Sequence, residues 1–325
     1  MRISVVIPAY NAAAYIAATI ASARAQTLAP LEIIVVDDGS KDETAVVAAQ
    51  CGATVLRQAN AGVCAARNTG ILAARGEWIA LLDHDDVWLP AKLERQAAAV
   101  ALQPDVACVT TDFYREFDGV RRAVSCFAAE GYSLDGFTTV EVAPSVSLLP
   151  HAGEELVTTG FFMFPSAVLV RRDVLIEAGM FRVELRLCED VDCFLRVLRH
   201  TSMLVVREPL WTWHHHQGNH SNDTTGIAEG WLRLGDFIEH EPDRYPEGIR
   251  EQIQPVLRER RRDLMHTYTA AGDFDSARRV ARSAPVVALQ PIDAVLAAIV
   301  SLPPPVWYTL RKARRLAVAL FGSHR

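Results

Sequence analysis

Short apolar runs alternate with helical stretches through the first eighty residues, and this alternation constrains the fold more than any other feature of the chain. Residues 3–7 form a β-branched run closed by Pro8, and residues 12–25 are Ala-rich at helical spacing. The pattern repeats as strand 32–37, helix 42–50, strand 53–57, helix 63–74 and strand 78–82. Strands this continuously apolar are buried on both faces, so the alternation predicts a mostly parallel α/β sheet with right-handed crossovers. Ligands of such sheets bind beyond the carboxyl ends of the strands. Three polar clusters fall at those ends: Pro8-Ala-Tyr-Asn11, Asp37-Asp38-Gly39-Ser40 and Asp83-His-Asp-Asp86.

From 105 to 172 the pattern weakens to a strand at 106–113, a turn at Asp118-Gly119, a loop-rich stretch and a strand at 166–171; a helix follows at 189–199. Beyond 227 the composition shifts to charged helical segments at 228–241, 247–271 and 274–283, which divides the 325 residues into a domain at 1–226 and a helical region at 227–325. With 50% hydrophobic and 22% charged residues, neither a disordered chain nor a disulfide-stapled mini-protein is expected. A net charge of −6 argues against a nucleic-acid partner. Six cysteines without a CxxC pair, and an N-terminus too short for a signal core, read as a reduced, cytoplasmic chain. The longest apolar run, 292–302, contains Asp293 and falls short of the roughly 20 residues that span a bilayer.

Alternate residues of an extended segment point the same way, so Asp83 and Asp85 can address one ion. Carboxylates of this kind suit magnesium or manganese shared with diphosphate oxygens. The bland alternative is an acidic turn capping a helix that begins near Pro90. Ser40 or Asp42 is expected to cap the helix at 42–50, whereas the adjacent Asp37 and Asp38 are not explained by capping and could meet a base or ribose. No GxGxxG follows the first strand, which disfavours a hydride-transfer enzyme. A nucleotidyltransferase would want a Gly-rich basic loop where PAYNAAAY stands, and a receiver-like module ends long before position 190. Arg67 could neutralise a phosphate or lie against a base, or simply decorate a helix surface. The run His214-His215-His216 suggests zinc, yet no neighbouring Cys or acid in the sequence completes a site.

Six stretches in this order resemble glycosyltransferase family 2: VVIPAYN (5–11), EIIVVDDGSKDET (32–44), NAGVCAARNTG (60–70), GEWIALLDHDD (76–86) with Trp88, GMF (179–181) and CEDVDCFLR (188–196). The resemblance covers residues 3 to about 221 and implies a GT-A fold and a metal-dependent, inverting transfer from a nucleotide sugar, with UDP favoured, to a saccharide or lipid-linked acceptor in cell-surface polysaccharide or glycoconjugate synthesis. It implies that Pro8, Tyr10, Asp38 and Arg67 line the nucleotide pocket, with Asp38 on the base, and that Asp83 and Asp85 are the DxD pair at the ribose and the metal-diphosphate. Glu189 and Asp190 match the ED pair, with Asp190 as general base, and the HxGNxS spacing sets His216 near the metal. Two departures stand out: His84, where the family often has Ser or Ala, and Cys188 before the ED pair. A catalytically silent nucleotide-sugar binder of the same fold is the alternative.

Residues 265–284 read as a helix, a Gly-Asp turn and a second helix. Beyond Asp293 the chain has no acid, and residues 306–321 interleave Arg311, Lys312, Arg314 and Arg315 with Trp307, Tyr308 and Phe321. Such a helix suits an anionic membrane surface or its own domain, and both readings stay open.

Overall fold

A computed structural model describes residues 1–129, 134–160 and 162–282, so the basic helix expected at 306–321 lies outside the described residues. The first part of the chain runs β1 (Ile3–Ala9), α1 (Ile16–Arg24), β2 (Glu32–Asp37), α2 (Thr44–Gln50), β3 (Thr54–Arg57), α3 (Val63–Ala73), β4 (Trp78–Leu81), β5 (Val87–Trp88) and α4 (Lys92–Leu102). There follow β6 (Cys108–Phe117), β7 (Val120–Arg121), β8 (Val140–Ala143), β9 (Val146–Leu149), α5 (Ala152–Thr159), β10 (Leu169–Arg171), α6 (Arg172–Glu177), α7 (Glu189–Leu198) and β11 (Met203–His215). The helices α8 (Thr224–His240), α9 (Ile249–Gln252), α10 (Gln254–Ala271) and α11 (Phe274–Arg282) complete the described chain.

The strands form one sheet in the order β3-β2-β1-β4-β10-β6-β11-β9-β8. The pairs β1/β2, β1/β4, β2/β3 and β6/β11 are parallel, while β10 lies antiparallel between β4 and β6. The expected α/β sheet is therefore present as a mixed one, parallel through β3-β2-β1-β4 and at β6/β11, and antiparallel where β10, β5, β7, β8 and β9 pair. Every residue of β1 is buried, as a central strand covered on both faces requires. The carboxyl ends of β1, β2 and β4 lie side by side, in register from Pro8↔Val36 to Ala9↔Asp37 and with Val6↔Leu81, and so deliver the three polar clusters to one edge.

Three local expectations change. The strand expected at 166–171 shortens to β10 because Pro165–Ala167 forms a 3-10 turn, with Pro165 at its start where a missing N–H costs nothing. The helix expected at 247–271 breaks at Ile253, and the chain restarts as α10 with Pro255 in its first turn, since proline cannot donate to the preceding turn. The stretch read as loop-rich contains β8, β9 and α5; β8 is an edge strand with no buried residue, so it lacks the apolar signature of a buried one.

The described chain divides into two compact units. One holds Met1–Asn222 with Arg233–Ile253 and contains the sheet. In it, Tyr245 Oη donates to Asp192 Oδ1 at 2.5 Å, and Arg182 pairs with Glu241 at 2.7 Å. The other holds, among the described residues, Asp223–Leu232 and Gln254–Arg282. There α10 and α11 pack through Met265, Ala277 and Ala281 on either side of the Gly272 turn (φ 81°). Among the described residues, no helix is long and apolar enough to cross a membrane.

Helix α3 is pressed onto the sheet at Gly70, where a Cβ would lie 2.4 Å from Val6 Cγ1 and 3.2 Å from Val36 Cγ2. Both neighbours are branched residues fixed in the core. Gly70→Ala is expected to destabilise the protein by about 1–3 kcal/mol through overpacking, read as a lower denaturant midpoint at unchanged m-value.

Candidate active site

The loops after β1 and β2 are zipped together by side chains. Asn11 N–H donates to Ser40 Oγ (2.9 Å), Ala12 N–H to Thr44 Oγ1 (2.7 Å) and Lys41 N–H to Asn11 Oδ1 (2.9 Å). Ser40 therefore does not cap α2: its oxygen is taken by the neighbouring loop. Asp42 accepts Thr44 N–H at 3.1 Å beside the helix start, and Ala13 N–H at 3.1 Å from across the gap. Gly39 turns the chain at φ 77°, and a Cβ there would sit 2.9 Å from Asn60 N, so only glycine fits.

Pro8 is buried under this loop pair, and Tyr10 is 41% exposed at its rim. Asp38 is buried and accepts from Gln58 Nε2 (2.8 Å), Ala61 N–H (2.9 Å) and Gly62 N–H (2.8 Å), which fixes the loop entering α3. Three of its roughly four lone-pair sites are thereby filled. Asp37 accepts Ser40 N–H and pairs with Arg57 at 2.9 Å.

Arg67 is buried, and it grips two acids at once: Asp83 Oδ1 through Nη2 and Glu189 Oε1 through Nη1, each at 2.8 Å. Its guanidinium carbon lies 5.0 Å from the centre of the Phe181 ring. The arginine is held charged beyond its ordinary range, because the two carboxylates outweigh its desolvation. One side chain thus joins the loop after β4 to the first turn of α7. That turn is entered through Cys188 in a left-handed conformation (φ 62°), a strained geometry of a kind that gathers at functional sites. Glu189, Asp190 and Asp192 follow in the first turn, where the helix dipole favours negative charge. Asp192 is buried under Arg196 and Tyr245, which anchors α7 from behind. Asp190 is partly exposed and accepts Val191 N–H at 2.8 Å. Its dense surroundings, and then the adjacent Glu189 carboxylate, push its pKa up to about 7.

The loop after β4 is braced from below. Ser166 Oγ donates to the buried Asp86 at 2.5 Å and accepts Asp83 N–H at 3.0 Å; Asp86 also accepts His214 N–H at 3.3 Å. Thr19 donates to the carbonyls of His84 and Asp86. Burial, and then the neighbouring acids Asp85 and Asp83, hold the Asp86 carboxyl well above the usual carboxylate range. Asp85 meets His216 Nε2 at 3.0 Å, and the His216 ring stacks on Tyr15 with centroids 4.9 Å apart. His214 pairs with Glu116 at 3.2 Å. His214 and His216 each find an acid, one from β6 and one from the loop after β4, both invisible in local spacing. Among the described residues, however, no three His, Cys, Asp or Glu side chains gather closely enough to hold an ion unaided.

The fold thus brings Arg67, Asp83 and Glu189 into one network, with Asp190 next in the chain, and Asp85 and His216 into direct contact. Ser166 and Tyr15 join the site without a sequence signal: neither stands in a charged or repeated pattern. Arg67→Ala would leave two carboxylates without their cation, and a loss of about 3–5 kcal/mol is expected in chemical denaturation, with Arg67→Lys intermediate because an ammonium lacks the two-pronged fork.

The family model for glycosyl transferase family 2 matches residues 4–177. A Rickettsia prowazekii protein described as an uncharacterized glycosyltransferase is 28% identical over 210 residues, 64% of this chain and 62% of its own; the chain thus spans about three-fifths of that relative's length. The Escherichia coli protein WfgD, a UDP-Glc:alpha-D-GlcNAc-diphosphoundecaprenol beta-1,3-glucosyltransferase, is 38% identical over 98 residues, 29% of this chain and 39% of its own. Among solved structures, Staphylococcus aureus TarS 1-349 in complex with UDP-GlcNAc superposes with a TM-score of 0.67 at 17% identity, over 96% of this chain and 92% of that one, a likeness of fold. A family match over more than half of the sequence decides the matter: the chain belongs to glycosyltransferase family 2.

Proposed function

We propose that the protein transfers a sugar from a nucleotide-sugar donor, a UDP-sugar, to a hydroxyl of a saccharide or lipid-linked acceptor, with inversion at the anomeric carbon. One observation carries this reading: Arg67 joins Asp83 on the donor loop to Glu189 and neutralises both, with the partly exposed Asp190 next in the chain. UDP is supported by the donor named for WfgD and by the nucleotide sugar bound to TarS, and a lipid-linked acceptor by the diphosphoundecaprenol in the name of WfgD.

Asp190 is the general base of this proposal. Glu189 is engaged by Arg67, whereas the neighbouring Asp190, whose pKa is pushed up to about 7, is well matched to take the proton from an attacking hydroxyl near neutrality. The strained Cys188 and the buried Asp192–Arg196 pair keep that carboxylate from drifting. On the donor side, Asp38, Pro8 and Tyr10 shape the nucleotide pocket. Asp83 and Asp85 each commit one oxygen to a protein partner, Arg67 and His216 respectively. Their second oxygens are hard donors that fit magnesium or manganese, with the diphosphate supplying further ligands. Such an ion, when bound, stabilises the negative charge that develops on the departing nucleoside diphosphate.

Asp190→Asn is expected to lower kcat by about 10²–10⁴ while UDP still raises the apparent melting temperature, since ligand binding stabilises by mass action; wild-type turnover in that variant would remove Asp190 from the mechanism. The base must be ionised, so kcat/KM is expected to rise with pH through about 7. Stability runs the opposite way. The fold favours protonated Asp190, so its contribution is complete below the ordinary carboxylate range and is lost as pH rises through about 7. A pH–rate profile and a pH–melting profile, compared between wild type and Asp190→Asn, check both signs.

A further inference from the structure

The contacts of His216 deepen this reading. Its two ring nitrogens face opposite kinds of partner. Nδ1 accepts the backbone N–H of Gly218 at 3.1 Å, and Nε2 lies 3.0 Å from Asp85 Oδ2. A neutral imidazole carries one proton, and the nitrogen that faces an N–H must present its lone pair. The proton therefore sits on Nε2 and points at the carboxylate. Turning the ring over would set a C–H against Gly218 N–H and another against the carboxylate, and would lose both bonds, so the two contacts agree on one orientation.

The surroundings hold that orientation. Tyr15 lies parallel to the ring at an interplanar angle of 8°. The backbone N–H of His216 donates to Asn219 Oδ1, and its carbonyl accepts Asn222 Nδ2 at 3.0 Å, which closes a tight loop around residue 218. A Cβ on Gly218 would lie 3.1 Å from Nδ1 and 3.2 Å from Cε1, so a side chain there would crowd the ring.

A histidine that ligates a metal shows the reverse pattern: its other nitrogen donates an N–H to a carboxylate, a carbonyl or water. Here, ligation through Nε2 would move the proton to Nδ1 and set two N–H donors against each other at Gly218. We infer that His216 acts on Asp85 from outside the coordination shell, as a hydrogen-bond donor that fixes Oδ2 and turns Oδ1 toward the ion, and is not itself a metal ligand. His216 is in these terms a positioning residue for Asp85. The inference takes the ion from the proposed function, whereas the tautomer is argued from the ring's own contacts.

Two measurements on the full chain decide it. In protein labelled with 15N-histidine and free of metal, long-range proton–nitrogen correlation spectra, with the His216 signals identified by their loss in His216→Gln, are expected to show the Nε2–H tautomer; an Nδ1–H tautomer overturns the inference. With Mn2+ and UDP added, pulsed EPR is expected to show no directly coordinated imidazole nitrogen, and nitrogen coupling that disappears in His216→Gln overturns it equally. His216→Ala should weaken Mn2+ binding by about 10–100-fold, the usual effect of removing an outer partner of a ligand, whereas His216→Gln, which keeps an N–H near the ε position, should recover most of it. Failure of Mn2+ to bind with UDP would refute the metal in the proposed function and leave the tautomer spectrum to judge His216.

Discussion

A single buried cation organises the site. Arg67 leaves water to stand between Asp83 and Glu189, and its desolvation is offset only because both carboxylates meet it at 2.8 Å in its two-pronged geometry. The three groups are mutually dependent, since removing any one leaves an uncompensated charge in a poorly hydrated place. The loop after β4 and the start of α7 are therefore held to each other through α3. That helix in turn can reach only because Gly70 brings it hard against Val6 and Val36.

The same charge pairing differentiates acids that are adjacent in sequence. Glu189 is neutralised by Arg67, while Asp190 has a like charge beside it and lies in dense protein, so its proton affinity rises. Asp86 and Asp85 divide in a similar way. Asp86 is buried on Ser166 and braces the loop, whereas Asp85 stays accessible and meets His216. In both pairs one acid is taken up by the architecture and its neighbour stays partly exposed.

Much of the fold was legible because its signals are local. The strand–helix alternation from β1 to β4 follows from apolar runs and their spacing, and the DxD and ED acids stand out as charges at strand ends and a helix start. The hairpin of α10 and α11 announces itself by the Gly-Asp turn. What was not legible at the site shares one property: it depends on partners distant in sequence. Ser40 looked like a helix cap and instead serves the loop after β1, and the histidine run appeared to lack acids until β6 and the DxD loop supplied Glu116 and Asp85.

By itself the sequence determined the class of sheet, the edge at which the polar clusters emerge and the family to which they belong, because alternation and strand-end chemistry are written in neighbouring residues. Only the tertiary structure decided which acid is neutralised and which is left partly exposed, that Arg67 is an internal clasp, and which groups the two ring nitrogens of His216 face. Those outcomes are set by desolvation and by hydrogen-bond partners contributed from positions up to 131 residues away, as for Asp85 and His216, and no local pattern encodes a contact of that span.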